Sequence, residues 1–306
     1  IDFVTPLWEG RPAAPATPAW LLDVKYAGKT AAEKLAQLRE KLQEKGANAM
    51  LVSRLDSVAW LLNLRADDIA CTPVAMAYCL VLPDSATLFI NRSRLPQEAQ
   101  YALAKEGVQT AAYEDVANAI AAIDQMVTAL YEPDGLNYTL YNAWKANPNV
   151  TLLAGEEPVQ QLKGVKNEVE IENIKNAHVK DGVAMVRFQM ALEDKMARGE
   201  AVTECDVTEM LATLRREQPL CLGESFDTIP AYGANAAMMH YHAVPETCAT
   251  LEPHGFLLVD SGGQYLDGTT DITRTYSLGE LTDEEKTYYT WVLKCHIDIA
   301  KVIFLE

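Results

Sequence analysis

Asp260 and Asp271 stand eleven residues apart in the run Val259-Asp260-Ser261-Gly262-Gly263-Gln264-Tyr265-Leu266-Asp267-Gly268-Thr269-Thr270-Asp271-Ile272-Thr273-Arg274-Thr275. The first closes the apolar stretch 255–259, which reads as a buried strand, and the second opens an alternating strand over 271–276. The glycines and Asp267-Gly268 between them are turn chemistry, so the two strands are expected to pair as a hairpin-like unit. Such folding would bring two carboxylates to one pole of a sheet. Carboxylates that close repel each other unless a cation or a shared proton neutralises them, which makes a metal site the natural expectation. Aspartate is also common at plain turns and strand edges. Two features favour the metal. A charge at the end of Phe256-Leu257-Leu258-Val259 needs a compensating partner, and Thr269, Thr270 and Thr273 offer supporting hydroxyls. Carboxylate oxygens suit Mn, Mg or Ca, and added imidazole would admit Zn, Co or Fe.

His240 is the next candidate. It closes the small-residue stretch Gly233-Ala234-Asn235-Ala236-Ala237-Met238-Met239, read as a strand running to Tyr241, with His242 close behind. A strand histidine is often an ordinary packed or surface residue. Here two of the chain's five histidines cluster just upstream of the aspartates. An imidazole beside such a centre could hydrogen-bond a substrate carbonyl or pass a proton. In a regular strand His240 and His242 would share a face.

The elements that must position these residues fall into two textures. Residues 1–28, with Pro6, Pro12, Pro15 and Pro18, read as a connector. A helix is expected from Thr30 to near Gly46, carrying Ala31, Leu35, Leu38 and Leu42, followed by a strand over 49–52 and a short helix over 56–62. The runs 76–82 and 87–90 flank Pro83-Asp84-Ser85 as a hairpin; 107–113 reads as a strand and 116–130 as a helix. This alternation predicts an α/β domain with a mixed sheet over 29–162. From Asn167 a long helix is expected to Ala197, with Ile171, Ile174, Val183, Val186 and Met190 on its apolar side. A second helix starts at the N-cap Thr203, with an apolar stripe of Val207, Met210, Leu211 and Leu214. Short strands are expected at 225–229, 236–241, 256–259 and 271–276, then a helix capped by Thr282 and Glu285. The region 163–306 therefore reads as an α+β domain.

Composition excludes some partners. A net charge of −17 argues against nucleic acid and against anionic membrane, and no apolar run approaches the ~20 residues a span requires. The six cysteines are scattered without a Cys-x-x-Cys pair, as expected of reduced thiols in a cytoplasmic protein.

Several segments resemble the Xaa-Pro aminopeptidase (aminopeptidase P) family, in its large cytosolic, three-domain branch. They are Ser225-Phe226-Asp227-Thr228-Ile229, the stretch from Tyr232 to Tyr241, Val259-Asp260-Ser261-Gly262-Gly263-Gln264-Tyr265 and Asp267-Gly268-Thr269-Thr270-Asp271-Ile272-Thr273-Arg274-Thr275. Upstream, residues 22–28, 56–65 and 162–168 are similar to the connector, second domain and catalytic-domain start of that branch. The resemblance implies a creatinase-N-like α/β domain followed by a pita-bread metallopeptidase domain. It implies two divalent metal ions, Mn before Zn or Co, with Asp260 and Asp271 as two of five ligands. His240 would contact substrate near the metals, as both a catalytic and a substrate-binding residue. The implied substrate is a peptide with proline in second position, cleaved after its first residue, and the implied assembly is a homodimer. A prolidase or dipeptidase relative is the near alternative, and a non-catalytic peptide- or protein-binding module on the same fold is the alternative of another class.

The family pattern needs a further histidine and two glutamates beyond Glu306, and a first domain before Ile1, so the chain reads as truncated at both ends. With two of five ligands, the 306-residue chain alone is expected to show no appreciable Xaa-Pro cleavage. Measurable release of the first residue from an Xaa-Pro-Xaa peptide by that chain would contradict this.

Overall fold

The computed structural model describes Val4 and residues 6–304, and the chain divides into two units at residues 173 and 174. The first is built on a mixed six-stranded sheet in the order Val108–Ala111, Ala86–Ile90, Ala77–Val81, Ala49–Val52, Val127–Tyr131, Val150–Ala154. The strand Ala77–Val81 pairs antiparallel with both its neighbours, and the remaining three pairs are parallel. All four residues of Ala49–Val52 are buried. Strand alternation sends Met50 and Val52 into a core with Leu35, Leu38 and Leu42 of the helix Ala31–Glu44, and Ala49 and Leu51 into one with Leu140 and Trp144 of Tyr138–Ala146. Thr30 and Glu33 form the capping box that starts Ala31–Glu44.

The helix expected over 116–130 is instead a short helix, Val116–Ala121, and the strand Val127–Tyr131. Two long-range interactions override the local pattern. The buried Asn147 amide donates to the carbonyls of Ile120 at 2.8 Å and Ile123 at 3.0 Å, satisfying the helix end. The apolar run after it lies in parallel ladders on both sides. A short apolar run does not distinguish a buried strand from a helix, so periodicity could not reveal this.

The second unit packs helices against small antiparallel sheets. One sheet orders Ile229–Tyr232, Phe256–Ser261, Ile272–Ser277, and the other orders Gly268–Thr269, Gly263–Tyr265, Cys221–Glu224. Leu257 and Val259 form the core with Met185, Phe188 and Leu192 of the helix Glu168–Ala197 and with Val207 and Leu211 of Glu204–Arg216. This corrects the expected apolar side of the long helix. Its buried face is Ala177, Asp181, Ala184, Met185, Phe188 and Leu192, whereas Ile171, Val183, Val186 and Met190 are exposed, the last two by 60% and 64%. Two apolar stripes at helical spacing coexist in the sequence, and the sheet covers the one carrying Phe188. The capping boxes of Thr203 with Asp206 and Thr282 with Glu285 start the helices Glu204–Arg216 and Asp283–Ala300. No disulfide joins the described cysteines, and no described helix is long and apolar enough to cross a membrane.

Lys34 is 1% exposed, and its Nζ donates to Trp60 O at 2.8 Å and Asn63 Oδ1 at 2.7 Å beneath the Trp60 ring. Burial lowers its pKa from 10.5 to about 8. The unfolded chain therefore binds more protons between those two values, and stability rises with pH across that window. The unfolding free energy of the wild type relative to Lys34→Met should increase from pH 8 toward pH 10.5 in denaturant titrations; a difference that stays flat would refute it.

Candidate functional site

Strand parity decides where Asp260 points. In Phe256–Ser261 the side chains of Leu257, Val259 and Ser261 are buried, while Leu258 and Asp260 occupy the half-buried opposite face. Asp260 is therefore not driven into the core. Its cross-strand partners are Ile229 on one side and Thr273 on the other, and the Thr273 hydroxyl donates to Asp260 Oδ1 at 2.9 Å. Thr273 is the supporting hydroxyl among the three expected. The Thr270 hydroxyl instead accepts from Gly263 N at 2.8 Å, and that of Thr269 donates to Gln264. Asp271 immediately precedes the strand Ile272–Ser277, which starts one residue later than expected, and it lines the same cleft as Asp260.

The segment joining the aspartates is not a simple hairpin loop. It leaves the first sheet to form the second, where Gly263–Tyr265 pairs with Cys221–Glu224. Gly262 makes this turn possible. A Cβ there would lie 2.1 Å from both Thr270 O and Ser225 Oγ. Ser225 closes the junction by donating N–H to Gly262 O at 3.1 Å and its hydroxyl to Thr270 O at 2.8 Å. For the same reason the strand expected over 225–229 is broken, with regular pairing at Cys221–Glu224 and Ile229–Tyr232 on either side.

Beneath the paired strands lies a buried ionic cluster. Asp181 accepts from Arg215 Nε at 2.6 Å, from Arg215 Nη2 at 3.2 Å and from Tyr265 OH at 3.0 Å. Arg215 Nη2 also donates to Ser261 Oγ at 3.0 Å, next to Asp260. Burial raises the Tyr265 phenol far above its usual pKa, and the Asp181 charge adds to that effect. Asp267 is more than a turn residue, since Lys180 Nζ meets its two oxygens at 2.6 and 2.8 Å.

The segment 236–241 is not the expected strand. A 3-10 helix covers Gly233–Ala237, and irregular backbone follows. His240 lies in the left-handed region at φ 58°, which breaks the parity relation expected with His242. Both histidines are exposed. What holds this loop is Glu204, in the first turn of Glu204–Arg216 and fully buried. Its carboxylate accepts from Tyr232 N at 2.7 Å, Asn235 Nδ2 at 3.0 and 3.1 Å, Tyr241 OH at 2.7 Å and Ala249 N at 2.8 Å. Burial and then this carboxylate push the Tyr241 hydroxyl up to about 12.

A cleft of about 560 Å³ is lined by Asp260, Asp271, His240, His242, Tyr241, Phe226, Asp227 and Ile229. The two aspartates and His240 singled out from the sequence thus meet at one cavity, from three separate segments. Asp227 adds a third carboxylate to its lining; the sequence reading assigned it no role, although it belongs to one of the motif segments. Glu204 carried no sequence signal beyond a place near a helix start. Among the described residues no three His, Cys, Asp or Glu side chains are grouped to hold a metal ion. The carboxylates of Asp260 and Asp271, lining one cleft, fit part of the donor set of a hard divalent cation.

Residues 10–170 match the family described as creatinase/prolidase N-terminal domain, and residues 172–305 match metallopeptidase family M24. A "Probable Xaa-Pro aminopeptidase P" of Sordaria macrospora is 38% identical over 314 residues, covering 99% of this chain and 51% of that protein. "Aminopeptidase P2" of Arabidopsis thaliana is 33% identical, covering 100% of this chain and 47% of its own length. The chain thus spans about half the length of the curated relatives it matches. The X-prolyl aminopeptidase from Caenorhabditis elegans, described as a cytosolic enzyme with a di-nuclear active site, superposes with a TM-score of 0.90 at 32% identity, covering 98% of this chain and 49% of that one. A Xaa-Pro dipeptidase from Bacillus anthracis, at 22% identity and a TM-score of 0.65, covers 88% of this chain and 71% of that one and shares the fold.

Replacing Asp181 by alanine would leave the Arg215 charge buried without its counter-ion. Asp181→Ala should cost about 3–5 kcal/mol in urea unfolding. A loss below about 1 kcal/mol, the scale of an exposed pair, would show that the buried pair is dispensable.

Proposed function

The chain belongs to the family that joins a creatinase/prolidase N-terminal domain to a metallopeptidase family M24 domain, and from this we propose that the protein is a metal-dependent aminopeptidase. It releases the first residue from peptides with proline in second position. The observation that carries this reading is the convergence of Asp260, Asp271 and His240 on one cleft. The names of the relatives similar along the whole chain support the same reading.

In this proposal Asp260 and Asp271 would be two of the ligands that hold two divalent ions. The di-nuclear site of the C. elegans neighbour supports the number, and hard carboxylate oxygens favour Mn over Zn or Co. When bound, such ions supply an activated water and Lewis acidity at the scissile carbonyl. The Thr273 hydroxyl orients Asp260 through its hydrogen bond. His240 offers a ring N–H to the carbonyl oxygen of the bond being cut and can hold a proton at that nitrogen as charge develops. Phe226 and Ile229 give the cleft an apolar wall for a pyrrolidine ring. An Xaa–Pro amide has no N–H to be satisfied, so apolar surface beside its nitrogen fits it. Homodimer assembly and a cytoplasmic location belong to the same proposal. The exposed Trp291 and the cytosolic neighbour are their respective supports.

In the full-length protein, Asp260→Asn and Asp271→Asn should each reduce Mn-dependent cleavage of an Xaa-Pro-Xaa peptide on the order of 10³-fold, corresponding to several kcal/mol of lost stabilisation. The readout is the released amino acid together with metal content. Wild-type turnover by both variants would sink the proposal.

A further inference from the structure

We infer that Glu204 is the positioning residue for His240, an assignment that rests on the functional reading above. The segment 233–249 has no strand ladder to hold it, only a short 3-10 helix and irregular backbone. Within it His240 adopts the left-handed region, which a residue other than glycine keeps only when its neighbours fix it there. The neighbour that does so is Tyr241, whose hydroxyl reaches Glu204 Oε2 at 2.7 Å.

The other bonds to Glu204 pin both ends of the same segment. Tyr232 N and Asn235 Nδ2 hold its start, and Ala249 N holds its end. Glu204 N returns a bond to Ala249 O at 3.0 Å, and Thr203 bridges to Thr250 beside it. The carboxylate also sits in the first turn of a 13-residue helix, whose N-terminal dipole favours its charge. Only a carboxylate offers two accepting oxygens for this set of donors. Glutamine would turn one oxygen into a donor facing the N–H of Ala249 and the amide of Asn235. Glu204 thus fixes the placement of an exposed imidazole from within the protein, while touching no substrate itself.

The test uses the full-length protein with Mn, carrying Glu204→Gln, His240→Ala, both together, or Tyr241→Phe. Two readouts are required: kcat/KM on an Xaa-Pro-Xaa peptide, and hydrogen–deuterium exchange of the segment 233–249. Glu204→Gln is expected to lower kcat/KM on the order of 10²-fold through displacement of His240, with metal content unchanged. In the His240→Ala background the same change should cost less than about threefold, because both act through one group. Exchange across 233–249 should rise at least about tenfold while Phe256–Ser261 stays protected. Losses that multiply in the double variant, or exchange that does not change, would overturn the inference. If Glu204→Gln fails to fold, Tyr241→Phe removes only the hydroxyl, with its bonds to Glu204 and Asn235, and should still raise exchange around His240; no rise would count against the assignment. A full-length wild type that cleaves no Xaa-Pro peptide, or a fully active His240→Ala, would defeat the functional reading and with it any catalytic role for this positioning. The exchange data would still show whether Glu204 fixes the loop.

Discussion

The ion pair between Asp181 and Arg215 is the constraint around which the second unit is organised. It joins the helices Glu168–Ala197 and Glu204–Arg216, and through Ser261 and Tyr265 it reaches both small sheets. Each of these groups would be costly to bury alone, so each tolerates one arrangement in which its partners are in reach. That requirement sets which face of the long helix turns inward. It also fixes the end of the strand that carries Asp260. Lys180, one residue along the same helix, repeats the connection by pairing with Asp267 while its ammonium lies over the Tyr265 ring.

Above that foundation the cleft is assembled by three different devices. Asp260 comes from a regular ladder, and its direction follows from parity. Asp271 comes from the return of the chain, and that return depends on a glycine at position 262, where any side chain would strike backbone and the Ser225 hydroxyl. His240 comes from a segment without a ladder, held instead by side-chain acceptors on a buried glutamate. A ladder, a close backbone approach and a carboxylate anchor differ in rigidity. The residue on the least regular backbone is the one that needs the most side-chain support.

Much of this was legible in the residues themselves. Caps at Thr203 and Thr282 are local chemistry, as is the helical spacing of apolar residues after Thr30, and all three helices start where expected. The apolar run 255–259 and the alternation in 271–276 marked the two paired strands, and the ordered motif block pointed to the M24 family match. Where reading the sequence went astray, a distant partner decided the outcome. Asn147 ends the helix at Ala121, and parallel ladders take the apolar run after it. The sheet covers the Phe188 stripe of the long helix and leaves Val186 and Met190 exposed. Glu204 draws 236–241 out of any strand.

The sequence by itself determined the identity of the chemistry: two carboxylates at turn-linked strand ends, an imidazole upstream and apolar residues to frame them. Those are properties of residue type and short-range spacing, which the chain carries in any conformation. Tertiary structure alone decided that Asp260 faces away from the core and that His240 and His242 are unrelated by strand parity. It also decided that Glu204, unremarked as a residue type, holds the loop between them and the rest of the cleft. Those outcomes depend on which buried polar groups find partners across long stretches of chain, and no local pattern encodes that pairing.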